Sequence, residues 1–182
     1  SFAQVGLCQW PVFATHPFQA IHVNGKGIFP ARGSSGALAS AQGQLIAFLD
    51  SDDTWEPDKL AKQVGFLADH PDADGVCTWF ELFGDEDRVS RGVRIHPRTE
   101  ICTRQEALAG TTFLTSSLLL RRRVTDEEGG MDEDPRLRSG QDYEYFFRLV
   151  SRYKIHRIHE VLTWWRVAPA QSSLSASHRT DD

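Results

Sequence analysis

The sequence contains no apolar run approaching the roughly 18 residues that a membrane-spanning helix needs. It also lacks the basic stretch followed by an apolar stretch that marks a signal peptide at an N-terminus. Both absences argue against an integral membrane protein and against a secreted one. We therefore expect a cytoplasmic protein, and peripheral contact with the inner face of the membrane stays open.

Basic charge and cysteine are scarce as well. The 20 Lys and Arg residues are outnumbered by 25 Asp and Glu, so the net charge is −5 and no positive field is available to hold a nucleic-acid backbone. The three cysteines, Cys8, Cys77 and Cys102, lie far apart and form no Cys-x-x-Cys pair, which fits a reducing compartment better than a disulfide scaffold. What is present, 182 residues of which 40% are hydrophobic, suffices for one globular domain with a proper core.

Apolar patterning in the first half of the chain indicates alternating strands and helices, and hence an α/β fold. Residues 45–49 form a continuous apolar run that ends at Asp50, as expected for a buried strand of a parallel or mixed sheet. Pro57 follows in a position that suits the first turn of a helix. The buried face of that helix is predicted, from spacing of i, i+4 and i+7, to carry Leu60, Val64 and Leu67.

The second half of the chain predicts a more mixed sheet that includes antiparallel strands. Thr103 and Glu106 have the spacing of a capping box at the start of a short helix. Further strands are predicted over residues 20–24, 75–83, 89–95, 113–120, 155–158 and 161–165, and helices over 37–42, 103–108 and 141–150. We expect one domain over residues 20–167, preceded by an unassigned segment, 1–19, and followed by a polar, flexible tail, 168–182.

The segment Asp50-Ser51-Asp52-Asp53 is the most informative part of the sequence. It follows the best predicted strand, and open α/β sheets bind ligands outside the carboxyl ends of their strands. Side chains alternate along an extended chain, so Asp50 and Asp52 point the same way, and a hard divalent cation would relieve their repulsion. Such a cation can bridge a carboxylate and a diphosphate. The alternative is a solvated turn in which Asp53 or Thr54 caps the following helix.

A second acidic centre lies at Asp142, in the first turn of the aromatic helix predicted over residues 141–150. The positive end of the helix dipole stabilises a carboxylate in that position. An ionised carboxylate beside an apolar, aromatic face can accept a proton from a hydroxyl group. Plain helix capping is the alternative, and it stays open.

Three blocks of the sequence resemble family 2 of the GT-A glycosyltransferases, over about residues 20–177. The blocks are residues 43–53 with 55–60, residues 116–121 with 129–133, and residues 140–144 with Arg148 and residues 164–166. Each block is moderately specific, and their order and spacing make the match strong. The resemblance implies a GT-A fold, which is a Rossmann-like α/β sandwich with a mixed sheet. It also implies transfer of a sugar from a nucleotide-diphosphate donor with inversion at the anomeric carbon, in the synthesis of cell-surface glycans or polysaccharides.

The resemblance also assigns residues to the donor side of such a site. Asp50-Ser51-Asp52 matches the D-x-D motif of the family, with Asp52 as the first metal ligand and Asp50 assisting through the ribose or the metal shell. The implied metal is Mn²⁺ or Mg²⁺, and Asp53 is a weaker candidate ligand. Arg32 is a further candidate for contact with the donor diphosphate, and an ordinary loop arginine is the alternative there.

Other residues are assigned to the acceptor side. Asp142 matches the acidic residue that the family uses as catalytic base. Asp132 and Glu133 match an Asp-Glu pair near the acceptor, which would be a glycan, a lipid-linked compound or another hydroxyl compound. Trp165 is an acceptor-side candidate, with packing in the core as the alternative.

Departures from the family pattern leave two rival functions open. The usual first strand and the nucleotide-binding turn that follows the second strand are not visible in residues 1–19, which suggests an N-terminally truncated, non-catalytic binding module. The Asp50-x-Asp52-x-Thr54 pattern also fits haloacid-dehalogenase-like phosphatases, in which Asp50 would be the nucleophile and Asp52 the acid/base. A strand that residues 1–19 supply beside residues 46–49 would favour a sheet that can hold a nucleotide.

Overall fold

A computed structural model describes the backbone of residues 18–23, residue 38, and residues 41–50, 52–91, 96–109, 113–132, 134 and 140–167. Two predicted site residues, Arg32 and Glu133, lie outside the described residues, and so does the tail over residues 168–182. Of the helix predicted over residues 37–42, residue 38 is helical, residues 41 and 42 are not, and the others lie outside the described residues.

Within the described residues, six strands form one mixed sheet. They are β1 (Phe18–Val23), β2 (Leu45–Asp50), β3 (Thr54–Trp55), β4 (Gly75–Gly84), β5 (Leu119–Arg121) and β6 (Ile155–Val167). Their order across the sheet is β1-β2-β5-β4-β6-β3. The pairs β1–β2 and β4–β6 are parallel, whereas β5 is antiparallel to both of its neighbours and β3 is antiparallel to β6. The predicted mixed sheet is therefore confirmed.

The described helices cover both faces of the sheet. They are α1 (Lys59–Asp69), α2 (Glu86–Arg91), α3 (Arg104–Ala109), the 3₁₀ helix Thr115–Ser117, α4 (Arg122–Glu128) and α5 (Gln141–Arg152). Side chains alternate along β2, so Ile46 and Phe48 pack with the core that contains α5, while Ala47 packs with the core that contains α1. None of the helices in the described ranges is long and apolar enough to cross a membrane.

Local signals predicted several elements correctly. The capping box at α3 is present: the Glu106 backbone N–H donates to Thr103 Oγ1 at 3.2 Å, and the Thr103 N–H donates to Glu106 Oε2 at 3.1 Å. α1 begins at Lys59 rather than at Pro57, which lies in the preceding turn. β1 begins at Phe18, within the segment that the sequence left unassigned, and it pairs along the whole of β2.

Three strand predictions were wrong. Residues 86–91 form helix α2, so the strand predicted over 89–95 does not form where the chain is described. Of the strand predicted over 113–120, the middle is the 3₁₀ helix Thr115–Ser117, whose buried serines use their hydroxyl groups locally and against the acidic segment. The two strands predicted over 155–165 are one strand, β6, because register shifts against β4 near Trp79 absorb the irregularity without ending the pairing.

Candidate functional site

Three aspartates follow closely on one another where β2 ends, and we call Asp50, Asp52 and Asp53 the acidic turn. Val23, the last residue of β1, is the register partner of Asp50, so both parallel strands end at one edge of the sheet. The Asp53 backbone N–H donates to the Asp50 carbonyl oxygen at 3.1 Å, which closes the turn. The acidic turn therefore occupies the position at which open α/β sheets bind their ligands.

Within the acidic turn, the surroundings of Asp50 oppose a negative charge most strongly. Burial, together with the negative charges of Asp53, Asp52 and Asp142, raises the pKa of Asp50 to about 7. No ion pair or hydrogen-bond donor reaches its carboxylate from the described residues. An anionic Asp50 at neutral pH is consequently costly unless positive charge is supplied from elsewhere.

Asp53 is engaged by the protein on both of its carboxylate oxygens. Ser116 Oγ donates to Oδ2 at 2.6 Å, and the Arg166 backbone N–H donates to Oδ1 at 3.0 Å. The side chain is buried, and burial raises its pKa in spite of the two hydrogen bonds. Asp53 is thus held inward, which suits structural support better than metal ligation.

The side chain of Asp52, by contrast, is exposed. Its backbone carbonyl accepts a hydrogen bond from Arg166 Nε at 3.0 Å, so the peptide is anchored while the carboxylate faces solvent. Of the three acidic residues, Asp52 is therefore the one best placed to meet a ligand.

The fold places Asp142 within electrostatic range of Asp50. It lies in the first turn of α5, near enough for its negative charge to contribute to the raised pKa of Asp50. Tyr145, Phe146 and Leu149 bury the other side of α5 and fix how the helix presents its first turn. The Tyr143 hydroxyl group donates to the Ala107 carbonyl oxygen of α3, which braces the same end of the helix. Two acidic centres that are distant in sequence consequently share one electrostatic environment.

Asp132 and Trp165 are both exposed, and the structure does not join them to the acidic turn by any hydrogen bond or ion pair between described residues. Asp132 follows a segment that Arg148 supports, through bonds from its guanidinium to the carbonyl oxygens of Glu128 at 3.0 Å and Gly130 at 2.8 Å. The Trp165 ring is 38% exposed and meets Phe80 edge-on, with 6.2 Å between ring centroids. Trp165 is therefore a surface residue rather than a core residue.

Two residues that contact the acidic turn received no role from the sequence, namely Ser116 and Arg166. Both lie inside blocks that carried the family resemblance, which is the signal that marked them. Their contacts were not predictable, because each joins residues more than 60 positions apart in the chain.

The oxygen-only donor set fits a hard divalent cation. Within the described ranges, no group of three or more His, Cys, Asp or Glu side chains is arranged to hold a metal ion by itself. Mg²⁺ sites commonly use one or two carboxylates and complete their shell with water and substrate phosphates, which matches Asp52 and Asp50. The uncompensated charge at Asp50 is the structural reason to expect a cation there.

Comparison with known proteins identifies relatives, several of which are named as glycosyltransferases. A family model described as "Glycosyl transferase family 2" matches residues 16–129. The putative teichuronic acid biosynthesis glycosyltransferase TuaG of Bacillus subtilis is 31% identical over 132 residues, which cover 72% of this chain and 50% of that protein. An uncharacterised protein of Sinorhizobium fredii, y4gI, is 30% identical over 149 residues, 80% of this chain and 16% of that protein. The chain thus spans half or less of the length of these relatives.

Solved structures agree on the fold. S. aureus TarS 1–349 superposes with a TM-score of 0.59 at 19% identity, over 75% of this chain and 40% of that one. The mannosyltransferase PcManGT from Pyrobaculum calidifontis, solved with GDP-Man and Mn²⁺, gives a TM-score of 0.50 at 18% identity, over 76% and 36% of the two chains. The predicted GT-A architecture, with helices packed on a mixed sheet, is confirmed by this likeness.

Proposed function

The chain belongs to glycosyl transferase family 2, and from that premise we propose that it forms part of a metal-dependent, inverting glycosyltransferase. The reaction would move a sugar from a nucleotide-diphosphate donor to an acceptor hydroxyl group, in the synthesis of a cell-surface glycan or polysaccharide. The observation that carries the proposal is the shared environment of Asp50 and Asp142 at the carboxyl end of the sheet. The family match also sets aside the phosphatase alternative.

Asp52 and Asp50 are the residues that would hold Mn²⁺ or Mg²⁺ beside the donor diphosphate. Asp52 offers an exposed carboxylate, and Asp50 offers a charge that the described residues leave uncompensated. When bound, such a cation stabilises the negative charge that builds up on the leaving diphosphate. Arg32, outside the described residues, is the proposed additional contact to the diphosphate.

Asp142 is the proposed catalytic base. Its carboxylate would accept the proton of the acceptor hydroxyl group while the hydroxyl oxygen bonds to the anomeric carbon. The bond from that carbon to the diphosphate oxygen breaks, and its electron pair leaves with the diphosphate. Attack from the face opposite the leaving group inverts the configuration. Asp132, Glu133 and Trp165 are proposed for the acceptor side.

The names of the relatives support this chemistry. TuaG is named for teichuronic acid biosynthesis, TarS has been solved with UDP and with UDP-GlcNAc, and PcManGT with GDP-Man and Mn²⁺. We propose by extension a nucleotide sugar as donor and a glycan, a lipid-linked compound or another hydroxyl compound as acceptor. The proposed location is cytoplasmic, with the inner face of the membrane as the place where a lipid-linked acceptor would be met.

Calorimetric titration of nucleotides tests the donor half of the proposal. UDP, dTDP and GDP are titrated into the purified chain with and without Mn²⁺, and the same series is run on Asp52→Asn and on Asp69→Asn. Asp69 is an exposed aspartate at the far end of α1 and serves as the matched control. We expect one nucleotide to bind only with the metal, binding to be lost in Asp52→Asn, and Asp69→Asn to behave as wild type.

A well-folded chain that binds none of the nucleotides would instead support the non-catalytic binding module. That outcome is disfavoured by β1, which lies beside β2, overlaps the strand predicted over residues 20–24 and begins at Phe18. A nucleotide site needs β1 beside β2, because the ligand binds outside the carboxyl ends of adjacent parallel strands.

A further inference from the structure

Ser116 makes two contacts with the acidic turn through one hydroxyl group. Its Oγ accepts a hydrogen bond from the Asp50 backbone N–H at 3.0 Å and donates to Asp53 Oδ2 at 2.6 Å. We propose that Ser116 is a positioning residue, whose hydroxyl group holds Asp53 inward and the end of β2 in place, so that Asp52 and Asp50 are presented to a divalent cation. This inference rests on the proposed function, and it adds a residue to which no role had been assigned.

The geometry uses the bonding capacity of a serine hydroxyl well. A hydroxyl group has one proton to donate and lone pairs to accept, so it can join a carboxylate and an amide at once. A short O–H···O bond to a carboxylate is among the stronger hydrogen bonds in proteins. Ser116 thereby links the first residue of the acidic turn, Asp50, with the last, Asp53.

Ser116 can position other groups because its own backbone is fixed. It is completely buried in the 3₁₀ helix, and its carbonyl oxygen accepts a hydrogen bond from Trp55 Nε1 at 2.7 Å. The next carbonyl, that of Ser117, accepts from Gln63 Nε2 of α1 at 2.9 Å. Lys59 joins this support, because its Nζ donates to Gln63 Oε1 at 2.7 Å.

Lys59 Nζ also lies 4.1 Å from the centre of the Trp55 ring. The lysine, the tryptophan and the glutamine therefore form a closed set of contacts around the 3₁₀ helix, which anchors it to β3 and α1. The backbone that carries the Ser116 hydroxyl group is therefore fixed in position. The hydroxyl group contacts the acidic turn from its buried side, whereas the carboxylate of Asp52 is exposed.

Removing the hydroxyl group would leave Asp53 Oδ2 buried without its donor. The carboxylate would then move to bind water or the cation, because an unpaired buried charge is costly. Either movement would disturb the turn from which Asp52 projects. Groups that orient metal ligands from outside typically contribute about 10- to 100-fold to metal affinity, and that is the loss we expect in Ser116→Ala.

Ser117→Ala is the matched control. Ser117 is equally buried in the same 3₁₀ helix, but its hydroxyl group donates to the Leu114 carbonyl oxygen at 2.6 Å and does not contact the acidic turn. Binding of Mn²⁺ alone is measured for wild type and both variants by the loss of the electron paramagnetic resonance signal of free Mn²⁺. Thermal unfolding without metal is measured in parallel.

We expect both alanine variants to unfold at similarly lowered temperatures, and Ser116→Ala alone to bind Mn²⁺ about 10- to 100-fold more weakly. Equal metal affinity in the two variants, or wild-type affinity in Ser116→Ala, would overturn the inference. If Ser116→Ala does not fold, Ser116→Cys fills the same space with a weak donor and should show the same loss. Ser116→Thr keeps the hydroxyl group and should restore binding.

The outcomes separate this inference from the proposed function. A wild-type chain that binds Mn²⁺ but no nucleotide sugar or nucleotide would contradict the proposed function and leave the Ser116 comparison decisive for the acidic turn. A wild-type chain that binds no Mn²⁺ would overturn the inference together with the metal assignment.

Discussion

Asp50 ends β2 and Asp74 directly precedes β4, two strands that β5 separates in the sheet, and the surroundings of the two aspartates are opposite in character. At Asp74, just before β4, Arg123 pairs with one carboxylate oxygen and the Lys154 backbone N–H donates to the other at 2.6 Å. At Asp50, the last residue of β2, the charged groups that act on the carboxylate are three further aspartates. A buried charge that the fold balances supports structure, whereas one that the fold leaves unbalanced needs a partner from outside and marks a functional site.

The largest expected effect tests whether the acidic surroundings of Asp50, to which Asp142 belongs, are catalytic. Asp142→Asn should lower sugar transfer by about 10²- to 10⁴-fold, because the amide cannot accept the hydroxyl proton. Metal-dependent nucleotide binding should stay at the wild-type level, since Asp142 is assigned no role in holding the donor. Steady-state transfer assays and calorimetric titration measure the two quantities. Near-normal turnover in this variant would show that the base is another residue.

At Asp74, where the carboxylate is paired, mutation should lower the stability of the fold. Asp74→Asn removes the charge that pairs with Arg123, a guanidinium that is half exposed, and weakens the acceptor of the Lys154 N–H. We expect the free energy of unfolding to fall by about 1–3 kcal/mol, measured by urea denaturation. Asp126→Asn, which removes an exposed partner of Arg122 on α4, serves as control and should change stability by less than about 1 kcal/mol. Equal effects would remove the basis of the comparison.

Replacing Asp50 should change the free energy of unfolding in the opposite direction from replacing Asp74. The pKa of Asp50 is raised to about 7 in the folded state, so the stability that its protonated form provides is lost as pH rises through that value. Asp50→Asn cannot ionise, and without metal it should be more stable than wild type by about 1–3 kcal/mol at pH 8, with little advantage at pH 4. Urea denaturation in the presence of a chelator measures the difference. A destabilised variant at pH 8 would mean that unrecognised donors balance the charge.

The most specific test concerns a buried lysine of α1. Lys59 is fully buried, and burial lowers its pKa to about 7. The unfolded chain therefore binds more protons than the folded one between about pH 7 and 10, and wild-type stability should rise over that window. Lys59→Met should lack this rise, a difference in slope of up to about 1.4 kcal/mol per pH unit, which urea denaturation at several pH values measures.

The control for that experiment lies on the same helix. Lys62 lies at the surface with its side chain 36% exposed, and it pairs with Asp58 at 2.8 Å and with Glu160 at 2.5 Å. Lys62→Met should lower stability by less than about 1 kcal/mol and should leave the rise between pH 7 and 10 unchanged. If both variants lost the rise, Lys59 would not be its source.

Local patterns predicted the elements that a short stretch of chain specifies. The apolar run before Asp50, the helical spacing of Leu60, Val64 and Leu67, and the capping box of Thr103 and Glu106 each depend on neighbouring residues, and each element forms. Prediction failed where distant partners decide. The serines before β5 read as strand, but they turn into a 3₁₀ helix whose buried hydroxyl and carbonyl groups meet residues from β2, β3 and α1.

The sequence by itself determined that a strand ends in clustered aspartates and that a second acidic residue opens a later helix, because strand patterning and helix starts are local properties of the chain. Only the tertiary structure decided that Asp53 is turned inward while Asp52 is exposed, since the groups that hold Asp53 come from Ser116 and Arg166. How α5 packs on the sheet likewise decided that the charge of Asp142 acts on Asp50. Charges act through space, and the distances between them are set by packing and not by their separation along the chain.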